Sequence, residues 1–179
     1  MRQLYQKPRT AYNYLVFLMF VPKDFSPPVL EKDDYRARKL SAKDVYLDYT
    51  AVMSSIDIIH KTRGGKWPTP DLTIEDNLID LCWHQREFEF KTSFAYTVMS
   101  KDETECLGCI YFYPPRASMS DAASNDDVDV SISWWVTQKA YDQGFYERLS
   151  KDIKEWVEKE WPFKKVFWAN KVLSFGLEK

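Results

Sequence analysis

Cysteine is scarce: only Cys82, Cys106 and Cys109 occur in 179 residues. Three thiols make no disulfide framework, so a reducing compartment, the cytoplasm, is expected. A basic excess is missing as well. The 25 Lys and Arg residues are outnumbered by 27 Asp and Glu, giving a net charge of −2. That excludes a general nucleic-acid binder, whose surface needs a cationic surplus. Long apolar runs are also absent. The run Tyr14–Val21 follows Arg2, Lys7 and Arg9 as in a secretory signal. It falls far short of the ~20 residues that span a bilayer. Pro22 follows it and no small-residue cleavage site does. It reads as a buried strand or arm, and no membrane partner is expected.

What is present is a large stock of core-forming residues: 45% hydrophobic and 16% aromatic. With this length, that fits one packed domain. Pro22 and the pair Pro27-Pro28 mark an extended linker, so residues 1–34 read as arm and linker and 35–179 as the domain. Residues 35–40 read as a first strand. Ser41 with Asp44 is a capping-box start, opening a helix that carries Val45, Tyr49, Val52 and Met53 to about Ser55. Residues 63–70 are a Gly- and Pro-containing loop. Thr73, with Asp76 three residues on, caps a second helix that ends near Phe90, with Ile74, Leu78, Leu81 and Cys82 as its apolar stripe. Residues 94–99 and 106–113 form a hairpin around Lys101–Thr104. Residues 116–127, small and acidic, suggest a solvent loop.

The unit from Val128 to Asn170 carries the strongest signal and reads as strand, helix, strand. In its first strand Val128, Val130, Ile132, Trp134 and Val136 share one face, while Asp129, Ser131, Ser133 and Trp135 share the other. Phe145, Leu149, Ile153, Trp156 and Val157 recur at helical spacing, a stripe that must pack on the sheet. The order strand, helix, helix, three strands, helix, strand fits the α/β class: a central mixed β-sheet with helices on both faces and one parallel crossover at the end.

A polar strip on a strand that feeds a helix N-terminus is where an open α/β sheet tends to hold a ligand. Asp129 and Ser131 are therefore candidates for moving a proton, or ordinary polar residues on a solvent face. Tyr111 and Tyr113, alternating with Ile110 and Phe112, either line the same cleft or belong to the core. His84 is a candidate base or a partly exposed helix residue. His60, near the end of a helix-like stretch, is structural. Cys106 and Cys109 are spelled CxxC, but residues three apart on a regular strand point to opposite faces. No metal site is expected from them.

Residues 35–170 resemble the GNAT superfamily of acyl-CoA-dependent N-acetyltransferases. The resemblance rests on the element order, on the hairpin Phe94–Val98 and Leu107–Tyr113 with Gly108, and on Tyr141-Asp-Gln-Gly144-Phe-Tyr146. That last stretch matches the family's Arg/Gln-x-x-Gly-x-Gly/Ala loop. It implies acetyl-CoA as co-substrate, with Val136 handing backbone groups to the pantetheine arm. Thr137, Gly144, Phe145 and Tyr146 then line the pyrophosphate, Trp135 offers a stacking surface, and Asn170 stands just past the fifth strand. It also implies that Asp129, Ser131, Tyr111 and Tyr113 serve the reacting amine and the departing thiolate. Two departures are visible. Tyr141 lacks a cationic or amide head, and Tyr146 brings a ring where the family keeps a small residue. Only residues 171–179 follow the last strand, leaving no family-type helix with a tyrosine acid.

Two functions follow from this balance. The chain is either an N-acetyltransferase acting on a small-molecule or protein amine, or a GNAT-like ligand-binding or regulatory protein that no longer binds CoA productively. A homodimer that completes the sheet is compatible with either.

Overall fold

The computed structural model describes residues 21–115 and 128–172. The expectations for most of the Tyr14–Val21 arm, for the 116–127 loop and for the tail beyond residue 172 lie outside the described residues. Six strands form one sheet in chain order: β1 (Leu30–Glu31), β2 (Tyr35–Lys39), β3 (Phe94–Ser100), β4 (Cys106–Tyr113), β5 (Val130–Val136) and β6 (Val166–Trp168). All neighbours pair antiparallel except β5 and β6, which run parallel. The sheet is therefore mixed, and its one parallel pair is the unit read from residues 128–170. The expected linker is partly structural: Leu30 and Glu31 pair with Ala37 and Arg36, and Val21 and Leu30 are buried in the core.

Two helices form where the caps predict. Ser41 and Asp44 make the reciprocal capping box, first as a short 3-10 turn and then as helix α1 (Val45–Met53). Helix α2 (Ile56–Thr62) follows at once. Helix α3 (Ile74–Phe90) starts at Thr73, whose hydroxyl accepts from the Asp76 N–H at 3.1 Å. Helix α4 (Gln138–Asp142) is short, and Gly144, in the left-handed region at φ 74°, turns the chain into α5 (Phe145–Glu160).

Period-2 alternation on β5 sorts its side chains between two cores. Val130, Ile132, Trp134 and Val136 meet the α5 stripe of Phe145, Leu149, Ile153, Trp156 and Val157. Trp135 faces the other way and packs with Val52 of α1, Ile59 of α2 and Leu81 of α3. Helices thus cover both faces. The α3 stripe is rotated from the expected one: Leu81 is buried, whereas Leu78 and Cys82 are exposed. The buried face of α3 includes Asn77, which donates to Asp48 at 2.9 Å, so a polar residue took a place that an apolar pattern does not reveal.

One irregularity matters for the site. Val98 lies opposite Gly108 and Met99 opposite Cys106, so Leu107 is an extra residue in β4. Such a bulge reverses the alternation beyond it. Gly108 is needed there because a Cβ would lie 2.0 Å from the Trp135 carbonyl oxygen.

Candidate functional site

The parallel pair is short. Val130, Ser131 and Ile132 pair with Val166, Phe167 and Trp168, and the Ala169 N–H donates to the Ile132 carbonyl at 2.8 Å. Beyond that point the strands part. Backbone groups along a strand edge alternate between its two neighbours, so the N–H and C=O of Trp134 and Val136 face the gap. The Asn170 side chain reaches into it: Oδ1 accepts from the Trp134 N–H at 3.0 Å and Nδ2 donates to the Trp134 carbonyl at 2.9 Å. Nδ2 also lies 2.7 Å from the Tyr146 hydroxyl, which in turn donates to the Val172 carbonyl at 2.6 Å. The Tyr146 ring is fully buried and stacks on Trp134 at 5.8 Å. Burial raises this phenol to about 12. Tyr146 therefore turns inward between β5 and β6, away from the end of α5.

The start of α5 is uncapped by any side chain, and nothing lies within 4 Å of where a Gly144 Cβ would stand. Its first N–H groups and the helix dipole make a receptive place for an anion. Thr137 is engaged as the cap of α4, accepting from the Ala140 N–H at 3.2 Å. Trp135 is fully buried and donates through Nε1 to the Tyr111 hydroxyl at 3.2 Å, so it is a core residue and not a stacking surface. Phe145 is buried against Tyr35.

On the opposite face of the sheet, next to the gap, lies a polar pocket of about 240 Å³ lined by Arg63, Trp67, Asp80, His84, Tyr111 and Tyr113. Register explains its composition: Tyr111 sits opposite Ser133 and Tyr113 opposite Ser131. The two tyrosine rings stack at 6.1 Å. His84 lies 5.3 Å from the Tyr111 ring, with Nε2 3.5 Å from Asp80 and Nδ1 3.6 Å from Glu87. The Arg63 guanidinium lies over the Tyr111 ring at 4.5 Å, and its Nε donates to Ser133 Oγ at 3.3 Å. Tyr111 is buried, and burial raises its phenol well above its ordinary value.

Of the expected proton-handling residues, Tyr111 and Tyr113 line this pocket, and Ser131 belongs to the same strip. Asp129 does not join them. It lies before β5 begins, and its Oδ2 accepts from the backbone N–H of Lys164 at 2.7 Å and of Lys165 at 2.9 Å. The Lys165 and Lys164 N–H groups hold its carboxyl below the usual range, which suits a structural clamp and not a base. Arg63, Trp67 and Ser133 were missed. Ser133 was visible on the polar strip, but nothing in the Arg63-Gly-Gly stretch announces that its side chain returns to the sheet.

The expectation for Cys106 and Cys109 is corrected. The bulge brings both thiols to one face, and with Asp48 their ligand-type atoms all lie within 4.8 Å of one another. Asp48 Oδ1 accepts from the Cys109 thiol at 3.4 Å, while Oδ2 accepts from Asn77. Burial raises both Asp48 and Cys109 above their ordinary values. His60, as expected, is structural: Nε2 lies 2.9 Å from the Pro68 carbonyl.

No protein-family model and no curated protein matches the sequence. Solved structures match in fold. A GNAT-family acetyltransferase from Bacillus anthracis superposes with a TM-score of 0.53 at 16% identity, over 78% of this chain and 71% of that one. The chain has the GNAT fold. RimL, a ribosomal-protein alpha-N-acetyltransferase solved with coenzyme A, gives a TM-score of 0.54 at 11% identity, over 73% of this chain and 68% of that one. MccE, a self-immunity acetyltransferase solved with acetyl-CoA and AMP, gives 0.53 at 13% identity, over 71% and 64%. Among the described residues, no helix is long and apolar enough to cross a membrane.

Proposed function

We propose that the protein is an acyl-CoA-dependent N-acetyltransferase of the GNAT superfamily. The observation that carries this reading is one juxtaposition. The gap at Trp134 and Val136, floored by the free N-terminus of α5, lies one residue along β5 from Ser133 and the polar pocket behind it. A thioester stretched along the gap would present its carbonyl to an amine held in the pocket.

The co-substrate supplies an activated acetyl group. In this reading the α5 N-terminus and Gly144 receive the pyrophosphate, and the Val136 backbone pairs with the pantetheine arm. The acceptor enters beside Tyr113 and His84. Its nitrogen must be neutral to attack, so a proton has to leave it. His84, held between Asp80 and Glu87, is placed to take that proton directly or through water. The new C–N bond forms as the C–S bond breaks, and the thiolate recovers a proton, a role for the Tyr111 or Tyr113 hydroxyl on the same pocket. Asp129 has no part in this scheme.

A second reading, a GNAT-like binding protein without catalysis, draws on the Asn170 bridge. Asn170 holds both backbone groups of Trp134 and is itself held by Tyr146. Under the first reading this bridge must open or tolerate the co-substrate beside it. Under the second it is permanent. The test is thiol release from acetyl-CoA with a panel of amines. Turnover that drops at least about 100-fold in His84→Gln, with acetyl-CoA affinity retained, supports the enzyme and its base. Absence of turnover with every amine, from protein that binds acetyl-CoA, favours the binding protein.

A further inference from the structure

Arg63 is the feature of the pocket that acetyl transfer itself does not require. Its backbone is fixed as the cap of α2, where its N–H donates to the Ile59 carbonyl at 2.9 Å. Gly64 and Gly65, at φ 84° and 82°, then turn the chain away. The side chain is held on three sides: Ser133 Oγ takes its Nε–H, the Tyr111 ring lies 4.5 Å below it and the Trp67 ring 5.7 Å away. Yet among the described residues its two terminal amino groups have no acceptor, and no carboxylate lies within ion-pair distance of it. Asp80, the acid that shares the pocket, is committed toward His84 at 3.5 Å.

A half-buried guanidinium without a counter-charge is costly. The aromatic contacts offset part of that cost and fix the fork in place. A planar fork with its outer edge free is matched to a carboxylate or a phosphate, which it can bind through two parallel N–H donors. The space is small: whole-ligand pockets start near ~300 Å³, and this one holds about 240 Å³. It accommodates the polar head of a ligand and leaves the rest outside.

We infer that the acceptor is an amine that also carries an anionic group, a carboxylate or a phosphate, bound by the free edge of Arg63. This rests on the proposed acceptor role of the pocket. With Asp80 and His84 lining the same pocket as Arg63, an ammonium and an anion on one small molecule each meet a group of opposite or proton-accepting character.

The test uses matched ligands on the full chain by calorimetric titration: phenylalanine against phenylalaninamide, and phosphoethanolamine against ethanolamine. The expected result is that at least one anionic member binds roughly tenfold or more tighter than its neutral partner, the scale of a charge-assisted hydrogen bond. That preference should vanish in Arg63→Gln and survive in reduced form in Arg63→Lys, which keeps the charge and loses the fork. Which pair responds separates a carboxylate ligand from a phosphate ligand. Equal binding within both pairs, no binding by any of the four, or a preference that persists in Arg63→Gln overturns the inference. Should Arg63→Gln fail to fold, Arg63→Lys decides: an undiminished preference for the anionic member overturns it. Acetyl-CoA is titrated into the same samples. Anion preference without acetyl-CoA binding keeps Arg63 as an anion site but removes the acetyltransferase reading, and with it the ligand's role as acceptor. Acetyl-CoA binding without anion preference does the reverse.

Discussion

Single residues carry the sharpest consequences. Gly108 has no space for a side chain, since a Cβ would stand 2.0 Å from the Trp135 oxygen, a backbone atom. Gly108→Ala must push two strands apart and should cost about 3 kcal/mol in urea unfolding. Asp129 gives a test of the corrected assignment. Its folded carboxyl titrates below the usual range because two backbone N–H groups stabilise the charged form. A depressed carboxyl contributes stability above its unfolded value, and that contribution is lost as pH falls through the folded value. Asp129→Asn should therefore leave any acetyl transfer unchanged while flattening the acid limb of the thermal midpoint against pH. The alternation along residues 128–136 was enough to place Asp129 on the polar face. Alternation says nothing about how far along the strand a site extends, and the clamp on Lys164 and Lys165 comes from a loop 35 residues away in sequence.

At the scale of elements, capping and periodicity made the helices legible. Ser41 and Thr73 each cap as their chemistry demands, and the α5 stripe packs as its spacing requires. What periodicity hides is a change of period. The extra residue Leu107 in β4 brought Cys106 and Cys109 to one face beside Asp48, whereas a regular strand separates them. The parting of β5 and β6 was equally hidden, because it depends on Asn170 replacing a strand's hydrogen bonds with one side chain. Tyr146, which anchors Asn170, keeps its proton to about 12 in the fold against an ordinary value of 10.0. A raised phenol stabilises below the unfolded value, and the benefit is lost as pH rises through the folded one. Unfolding free energy should thus fall between pH 10 and about 12, and Tyr146→Phe should weaken that dependence. The same variant removes a hydrogen bond to Val172 and should cost about 1 kcal/mol near neutral pH. Gly144→Asp, with open space at its Cβ, should fold with about 1–2 kcal/mol of strain from the left-handed backbone.

For the whole molecule, the sequence pattern foretold a mixed sheet with helices on both faces, and the fold agrees in its one parallel pair while adding an edge strand at Leu30–Glu31. The two halves of the proposed chemistry lie on different cores of that sheet, and only the strand β5 connects them. Trp134 and Val136 turn backbone groups to the gap, while Ser131 and Ser133 lie on the pocket's face of the sheet. Calorimetric titration of the intact chain with acetyl-CoA, alongside Gly144→Asp, tests this arrangement most directly. Saturable binding at micromolar concentration, weakened roughly tenfold or more in the variant by a carboxylate beside the pyrophosphate, is the predicted result. Folded protein that takes up no acetyl-CoA, or a variant that binds it as well as the parent, would contradict the account.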